Sequence, residues 1–225
     1  MKKFGLIIFI FALSIGLSFS TNCNFGTISN LSGVQGSGIS KTEKRNETGF
    51  TKIDAGGAVN VEVSVGNAFA VEVQTDDNLL ANIKTETSGD TLKIYSEDRI
   101  SPKTSVLVRV SMPKIEHFEV SGASSGNLSN VKADDLELRA SGASKIKIVG
   151  TANELNADAN GASTIDAEDL RTENAKIEAS GASKATVSAA NDLNINASGA
   201  SRITYTGEPK NLRQNSSGAS SITKK

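Results

Sequence analysis

The second half of the chain repeats one pattern of apolar and polar positions about every 19 residues. Apolar residues alternate with polar ones on both sides of a short Ser/Asn-Gly-Ala-Ser motif. Before the glycine they fall at positions −6, −4 and −2, as in Leu136, Leu138 and Ala140; after it they fall at +1, +4 and +6, beginning with Ala143 and Ile146. A period of two is typical of strands that bury one face. Since the step from +1 to +4 indicates a turn, each repeat is predicted to be a strand, a corner, a second strand and a looser return.

The glycines of the motif recur at spacings of 20, 19, 20, 18 and 19 residues. The variation in length falls between position +6 of one repeat and position −6 of the next. A parallel β-solenoid has this property, because stacking fixes one corner while another corner tolerates insertions. We therefore predict an all-β solenoid with rungs of about 19 residues and structural glycines at its corners: Gly122, Gly142, Gly161, Gly181, Gly199 and Gly218.

Each residue of the motif has an expected role at the corner. Glycine adopts positive φ without a Cβ clash, and alanine is expected to fill the narrow inside of the turn. The serine hydroxyls are expected to bond to backbone groups that the turn leaves open, or to the serine on the next rung. We interpret the motif as a corner-forming device rather than as a ligand-binding row.

Residues 49–113 lack the motif but alternate in the same way between turn signals, as in Val59–Val65 and Val106–Val110. Residues 77–83 are interpreted as a short helix or an irregular crossing. No linker composition separates the two halves. We predict a single domain over residues 49–225, with irregular early strands at 49–113 and regular rungs at 114–225.

The N-terminus has the features of a secretory signal peptide over residues 1–20: two lysines, an apolar run and small residues before a cleavage point. Residues 21–48 are rich in Gly, Ser and Asn, and we predict a flexible tether there. Cys23 has two open interpretations. It is either a free thiol or the acylated first residue of a lipoprotein, although Ser20 and Asn22 match a lipobox poorly.

Composition narrows the classes of function. The chain is 37% hydrophobic but only 4% aromatic, which favours a core of small and branched side chains in many short strands. A net charge of −1 with interspersed signs gives no basic stripe for nucleic acid. A single cysteine excludes an internal disulfide and a cysteine-rich metal cluster. We predict no cofactor and no metal site.

The outward positions beside the corner vary in charge along the stack. They are expected to alternate in sign, so that adjacent rungs avoid like-charge repulsion. Position −3 runs Glu119, Arg139, Asp158, Glu178, Asn196 and Asn215, and position +3 runs Ser125, Lys145, Thr164, Lys184, Arg202 and Ser221.

Catalytic candidates are few. The adjacent pairs Asp76-Asp77 and Asp134-Asp135 are interpreted as turn residues, and His117, the single histidine, as a solvent-facing side chain. Because no Ser/His/Asp set or phosphate loop is present in the sequence, we predict that the chain has no catalytic residues.

The order of several segments resembles the bacterial GIN domain family, whose label is putative autotransporter adhesin head domain. The matching segments are Gly36-Ser37-Gly38, Gly49-Phe50-Thr51-Lys52-Ile53, Asp77-Asn78-Leu79-Leu80, Thr91-Leu92-Lys93-Ile94 and Val110-Ser111-Met112-Pro113, followed by the Ser-Gly-Ala-Ser repeats. The resemblance covers residues 36–225. It implies a right-handed parallel β-helix on an exported, often lipid-anchored protein, and it carries over no catalytic residues.

Three hypotheses of function follow. The first is a noncatalytic, cell-envelope-associated adhesin-like module that binds an envelope, glycan or protein surface. The second is a structural or assembly protein that docks through solenoid faces or edges, and the third is a polysaccharide-acting enzyme. The expected location is the periplasm, the outer membrane or the cell surface, with membrane contact only through a lipid at Cys23.

Overall fold

The computed structural model describes residues 33–225, which hold 17 strands and one short 3-10 helix. The predicted signal peptide, Cys23 and residues 21–32 of the predicted tether lie outside the described residues. The early strands are β1 (Val34–Gln35), β2 (Ser40–Arg45), β3 (Lys52–Ala55), β4 (Asn60–Val65), β5 (Ala70–Asp76), β6 (Ile83–Ser88), β7 (Thr91–Ser96), β8 (Ile100–Ser101), β9 (Leu107–Met112) and β10 (His117–Val120). The later strands are β11 (Ser125–Ala140), β12 (Lys145–Ala159), β13 (Thr164–Ala179), β14 (Lys184–Ala197), β15 (Arg202–Thr206), β16 (Asn211–Ser216) and β17 (Ser221–Lys224).

Strands β11 to β14 stack in parallel, one strand of 14 to 16 residues per rung. Their register repeats the sequence period, since Leu136 pairs with Leu155, Leu155 with Ala175, and Ala175 with Leu193. The chain forms a β-solenoid of about five turns, and the predicted solenoid architecture is confirmed.

Two long sides of the solenoid are named here by their place in the rung. Side A consists of the segments that follow each corner: β4, β9, the first parts of β11 to β14, β15 and β17. Side B consists of the segments that precede each corner: β3, β7, β10, the last parts of β11 to β14, and β16.

In β11 to β14 the return between side A and side B is a bulged continuation of the strand, whereas in the last rung a loop over residues 207–210 joins β15 to β16. Register shifts occur there, between Leu128 and Val131 in β11 and between Lys147 and Gly150 in β12. A bulge absorbs extra residues without breaking the stack. The return therefore takes up the differences in rung length.

The core is a column of aliphatic side chains along the solenoid axis. Ile146, Ile165, Ala185 and Ile203 stack from side A. Burying a Leu or Ile side chain stabilises the fold by about 1.5–3 kcal/mol. The many aliphatic side chains of the repeated strands therefore stabilise a core that contains few aromatic residues.

The N-terminal end departs from the simple order of rungs. The rung of β3 and β4 lies between the rung of β7 and β9 and that of β10 and β11. Antiparallel strands β2, β5 and β6 close this end. The segment predicted as a short helix or crossing is a 3-10 helix, Asp77–Asn82, which buries Leu79 and Leu80.

The predicted tether is wrong for residues 33–48, because this segment forms strands. β1 pairs with β8, and β2 pairs with β5 over six residues. The buried carboxylate of Asp76 accepts hydrogen bonds from the backbone N–H of Gly38 at 2.7 Å, Lys103 at 2.8 Å and Thr104 at 3.1 Å. The site at position 36 has no room for a Cβ, which would lie 2.2 Å from Asp76 Oδ2. Gly36 fits there because it has no side chain.

Candidate binding surface

The six glycines of the motif all adopt the left-handed conformation, with φ between 70° and 73°. A Cβ at any of them would lie 2.6–2.9 Å from the carbonyl oxygen of the glycine on the preceding rung. Glycine is required at each corner for two reasons: the backbone angle and the close approach of the stacked corners.

At five of the six corners the serine after the Gly-Ala pair is buried, and Ser220 is half-buried, so the prediction that alanine fills the inside is wrong. Ser144 and Ser163 are 2% and 1% exposed, whereas Ala143 and Ala162 are exposed. Positions +2, +4 and +6 point inward together, so simple alternation identifies the serine. Its hydroxyl donates to the carbonyl of the residue two before the glycine on the preceding rung: Val120 at 3.1 Å, Ala140 at 3.0 Å, Ala159 at 2.8 Å and Ala179 at 3.2 Å.

Side B presents a polar surface cross-linked from rung to rung. Asn174 donates to Glu154 at 2.5 Å, and Asn211 donates to Asp192 at 2.8 Å. Asn215 donates to Asn196 at 2.9 Å. These ladders fix outward side chains in register, because like positions lie over one another. A shallow depression of about 430 Å³ lies beside the corner, lined by outward residues that include Asp158, Asn160, Glu178, Ser180, Asn196 and Ser198.

The expectation that charges alternate in sign is wrong at two places. Asp158 pairs in register with Glu178 on side B, and Lys184 pairs with Arg202 on side A. The parallel register puts these positions directly over one another. The repeat spacing already implies both pairs. Asp158 and Glu178 occupy position −3 of two consecutive rungs, and Lys184 and Arg202 occupy position +3 of two consecutive rungs.

A groove of about 660 Å³ crosses the N-terminal part of side A. Arg109 spans it, with Nε 3.3 Å from Glu62 Oε2 and Nη1 donating to Gln74 Oε1 at 3.0 Å. Val149, which is 43% exposed, lies at its margin. The groove combines aliphatic and charged surface and is lined by outward residues that include Ser64, Glu72, Ser111, Asn127, Ser129 and Lys147.

The acidic pairs interpreted as turn residues have other positions. Asp134 and Asp135 lie inside strand β11, where Asp134 accepts a hydrogen bond from Asn153 at 3.0 Å. Asp76 ends β5 and is fully buried, while Asp77 accepts the hydroxyl of Ser37 at 2.5 Å. Burial opposes ionisation of Asp76, but the three backbone N–H groups outweigh it, so the pKa of Asp76 is lowered. Asp76 therefore holds Gly38, Lys103 and Thr104 to the end of β5.

His117 lies on the outward side of β10, where neighbouring carboxylates cover it so that its side chain is only 15% exposed. It lies between two carboxylates, with Nδ1 2.9 Å from Glu137 Oε2 and Nε2 3.6 Å from Glu119 Oε2. Burial raises the pKa of Glu137, yet its hydrogen bonds with His117 and Arg139 lower that pKa overall. Parallel register explains the contact, because His117 pairs directly with Glu137.

Within residues 33–225, no group of three or more His, Cys, Asp or Glu side chains is arranged to hold a metal ion. The same part of the chain contains no helix long and apolar enough to cross a membrane.

The fold is similar to solved structures of bacterial proteins. A putative adhesin from Bacteroides fragilis has a TM-score of 0.73 at 19% identity, with 86% of this chain and 100% of that chain covered. Putative adhesins from Parabacteroides merdae and Parabacteroides distasonis have TM-scores of 0.55 and 0.54 at 15% and 17% identity. They cover 85% of this chain and 98% and 99% of their own chains.

No curated protein matches the chain. Residues 49–209, most of the chain, match the family described as putative auto-transporter adhesin, head GIN domain. The match includes five of the six corner glycines and the complete run of long strands. The chain belongs to this GIN domain family.

Proposed function

We propose that the chain is a noncatalytic, exported binding module of the cell envelope that acts as an adhesin. The family match over residues 49–209 carries this proposal, since the family is described as an adhesin head domain. Three solved structures with this fold also have adhesin names. The apolar run and small residues at 1–20 support export.

The geometry suits binding through many weak contacts. Ladders of hydrogen bonds hold outward side chains of side B at the rung spacing of about 4.8 Å. A surface that is already ordered loses little side-chain entropy when it binds, and repeated contacts along a polymer or a cell surface add together.

The test of this proposal is retention of the mature protein, purified from cells that express it, on arrays of envelope and host glycans and on intact cells. We expect saturable binding without any change in the mass of the bound glycan. If the folded protein is retained on none of these surfaces, the proposal is wrong.

Anchoring at Cys23 is a separate part of the proposal. We expect the mature protein to begin at Cys23 and to carry acyl chains, which would hold it on a membrane. Intact mass spectrometry distinguishes this from cleavage after Ser20. Cys23→Ser should then move the protein to the soluble fraction; an unacylated wild-type mass would contradict the anchor.

A second candidate function is assembly with another envelope protein. The edge strands β16 and β17 each pair with one strand among the described residues, so one edge of each remains open. Open edges can accept a strand from a partner. Crosslinking in cells tests this candidate, which predicts one defined complex that disappears when residues 207–225 are deleted.

The least favoured alternative is a polysaccharide-acting enzyme. Asp134 and Asp135 are its nearest carboxylates, and both are exposed on β11. Release of reducing ends from a polysaccharide, lost in Asp134→Asn or Asp135→Asn, would support it against the binding module.

A further inference from the structure

Three cations of side A form a row at position +3, beside the glycine corner. We call Lys145, Lys184 and Arg202 the basic row. All three side chains are exposed. None of them takes part in an ion pair within 4.0 Å among residues 33–225, although twelve other pairs form there.

The register places the basic row along the solenoid axis. Lys145 pairs with Thr164, Thr164 with Lys184, and Lys184 with Arg202. At about 4.8 Å per rung, Lys184 and Arg202 are direct neighbours. Like charges directly opposite each other in a sheet are destabilising. The in-register neighbours of the basic row are Ser, Thr or another cation, so none of them neutralises its charge.

The acidic pair on side B is built differently. Glu178 lies 2.8 Å from Lys176 Nζ, and Asp158 accepts a hydrogen bond from Asn160 at 2.9 Å. The fold therefore supplies partners to its stacked acids. Among residues 33–225 it supplies no ion-pair partner to the stacked Lys184 and Arg202, which leaves both side chains available to an external anion.

The surroundings of the basic row favour a carbohydrate ligand. Thr164 lies within the row, and Thr186 and Thr204 form the next outward positions of the same strands, in register with each other. Hydroxyl groups at these places can donate to and accept from sugar hydroxyls. Cations spaced along one line fit a linear polymer that carries repeated negative groups.

We infer that side A binds a linear acidic polysaccharide, whose carboxylates lie along Lys145, Lys184 and Arg202. This inference rests on the proposed binding function and names its ligand class. The chain runs parallel to the solenoid axis, with charge-assisted contacts to the basic row and hydroxyl contacts to the threonines.

The probe is alginate, a linear polyuronate, and the measurement is binding by biolayer interferometry of the mature protein. Lys184→Gln with Arg202→Gln should weaken binding about tenfold and reduce its salt dependence. The matched control is Lys93→Gln with Arg213→Gln, which removes the same charge from exposed positions on side B. The control should bind as the wild type does.

The unfolding temperature of the double variant distinguishes loss of the binding site from loss of the fold. Because Lys184 and Arg202 repel each other, the double variant should unfold at the same temperature as the wild type or higher. Lower affinity together with an unchanged or raised Tm supports the inference. Equal weakening in the control and the test variant shows a general charge effect and overturns it.

Other ligands give distinct results. Binding to uncharged dextran equal to that of alginate overturns the polyanion assignment but leaves the binding function standing. Preference for vesicles of phosphatidylserine or for single-stranded DNA, lost in the same double variant, would assign the row to another polyanion and overturn the inference. If the folded wild type binds to no glycan and to no cell surface, the proposed function is contradicted instead.

Discussion

From Ser144 onward, the inward serine hydroxyl of each corner adds a second hydrogen bond to a carbonyl of the preceding rung that already accepts a backbone N–H. Replacing Ser163 with alanine removes its bond to the Ala140 carbonyl, at 3.0 Å, in a site that is 1% exposed. We expect a loss of about 1 kcal/mol in the free energy of unfolding, measured by urea denaturation. Ala162→Ser is the control, because that position is exposed. Equal losses in both variants would contradict the role of the hydroxyl.

The corner glycines differ from an ordinary turn glycine in their surroundings. In Gly161→Ala the left-handed conformation costs about 1–2 kcal/mol, and the new Cβ also lies 2.9 Å from the Gly142 carbonyl oxygen. Gly89→Ala has a similar φ of 64° but nothing within 4 Å. We therefore expect a larger fall in Tm for Gly161→Ala, by calorimetry. Equal falls would mean that stacking adds no constraint.

Acid should weaken the N-terminal closure through Asp76. Its folded-state pKa is lowered: burial opposes ionisation, but hydrogen bonds from Thr104, Gly38 and Lys103 outweigh it. The stability from its ionised form is therefore present above the unfolded pKa of about 3.9 and is lost as the pH falls through the lowered folded pKa. Urea midpoints of wild type and Asp76→Asn should converge across that window.

The control for Asp76 is Asp77→Asn, because Asp77 is the adjacent carboxylate and is exposed. This variant should retain the pH dependence of the wild type. The proposed linkage would be contradicted if the difference in urea midpoint between the wild type and Asp76→Asn stayed constant down to the lowest pH.

We expect individual rungs to tolerate length changes at the return and not at the glycine corner. From Val187 to Leu193 the return is six residues long, whereas from Ala167 to Ala175 it is eight. Inserting Gly-Ser between Ala190 and Asn191 makes the two returns equal, so we expect a folded protein with nearly unchanged Tm. The same insertion between Gly199 and Ala200 breaks the stacked corner and should prevent cooperative unfolding by calorimetry. Tolerance at both places would contradict a fixed corner.

At the level of elements, periodicity predicts the strands and the rung spacing because both depend on local alternation. Periodicity wrongly assigns Ala143, at position +1, to the inside of the corner. The inward residue is at +2, but that residue is a polar serine, so the apolar pattern does not reveal it. Periodicity also misses the pairing of β2 with β5, because a segment as polar as Ser40–Arg45 shows no buried face. Its order comes from long-range contacts such as those of Asp76, which local patterns do not encode.

The solenoid formed by residues 33–225 has two different ends. Antiparallel strands and the 3-10 helix close the N-terminal end, and polar residues cover the C-terminal end. Gln214 and Ser216 take the inward register of Ile195 and Ala197, and both are exposed. Sides A and B lie between these ends, so their length is set by the number of rungs.

The polar C-terminal end should keep one copy from stacking on another. Gln214→Ile with Ser216→Ala restores the apolar pattern of the preceding rung and adds to Leu212, which is already 40% exposed. Exposed apolar surface beside an open strand edge favours association, so we expect a concentration-dependent dimer by light scattering. Asn215→Ala changes an outward residue of the same strand and should stay at the mass of the wild type. If the double variant also keeps the mass of the wild type at every concentration, the polar residues are not what prevents stacking, and the paired terminal lysines, Lys224 with Glu208 and Lys225 with Glu168, become the next positions to change.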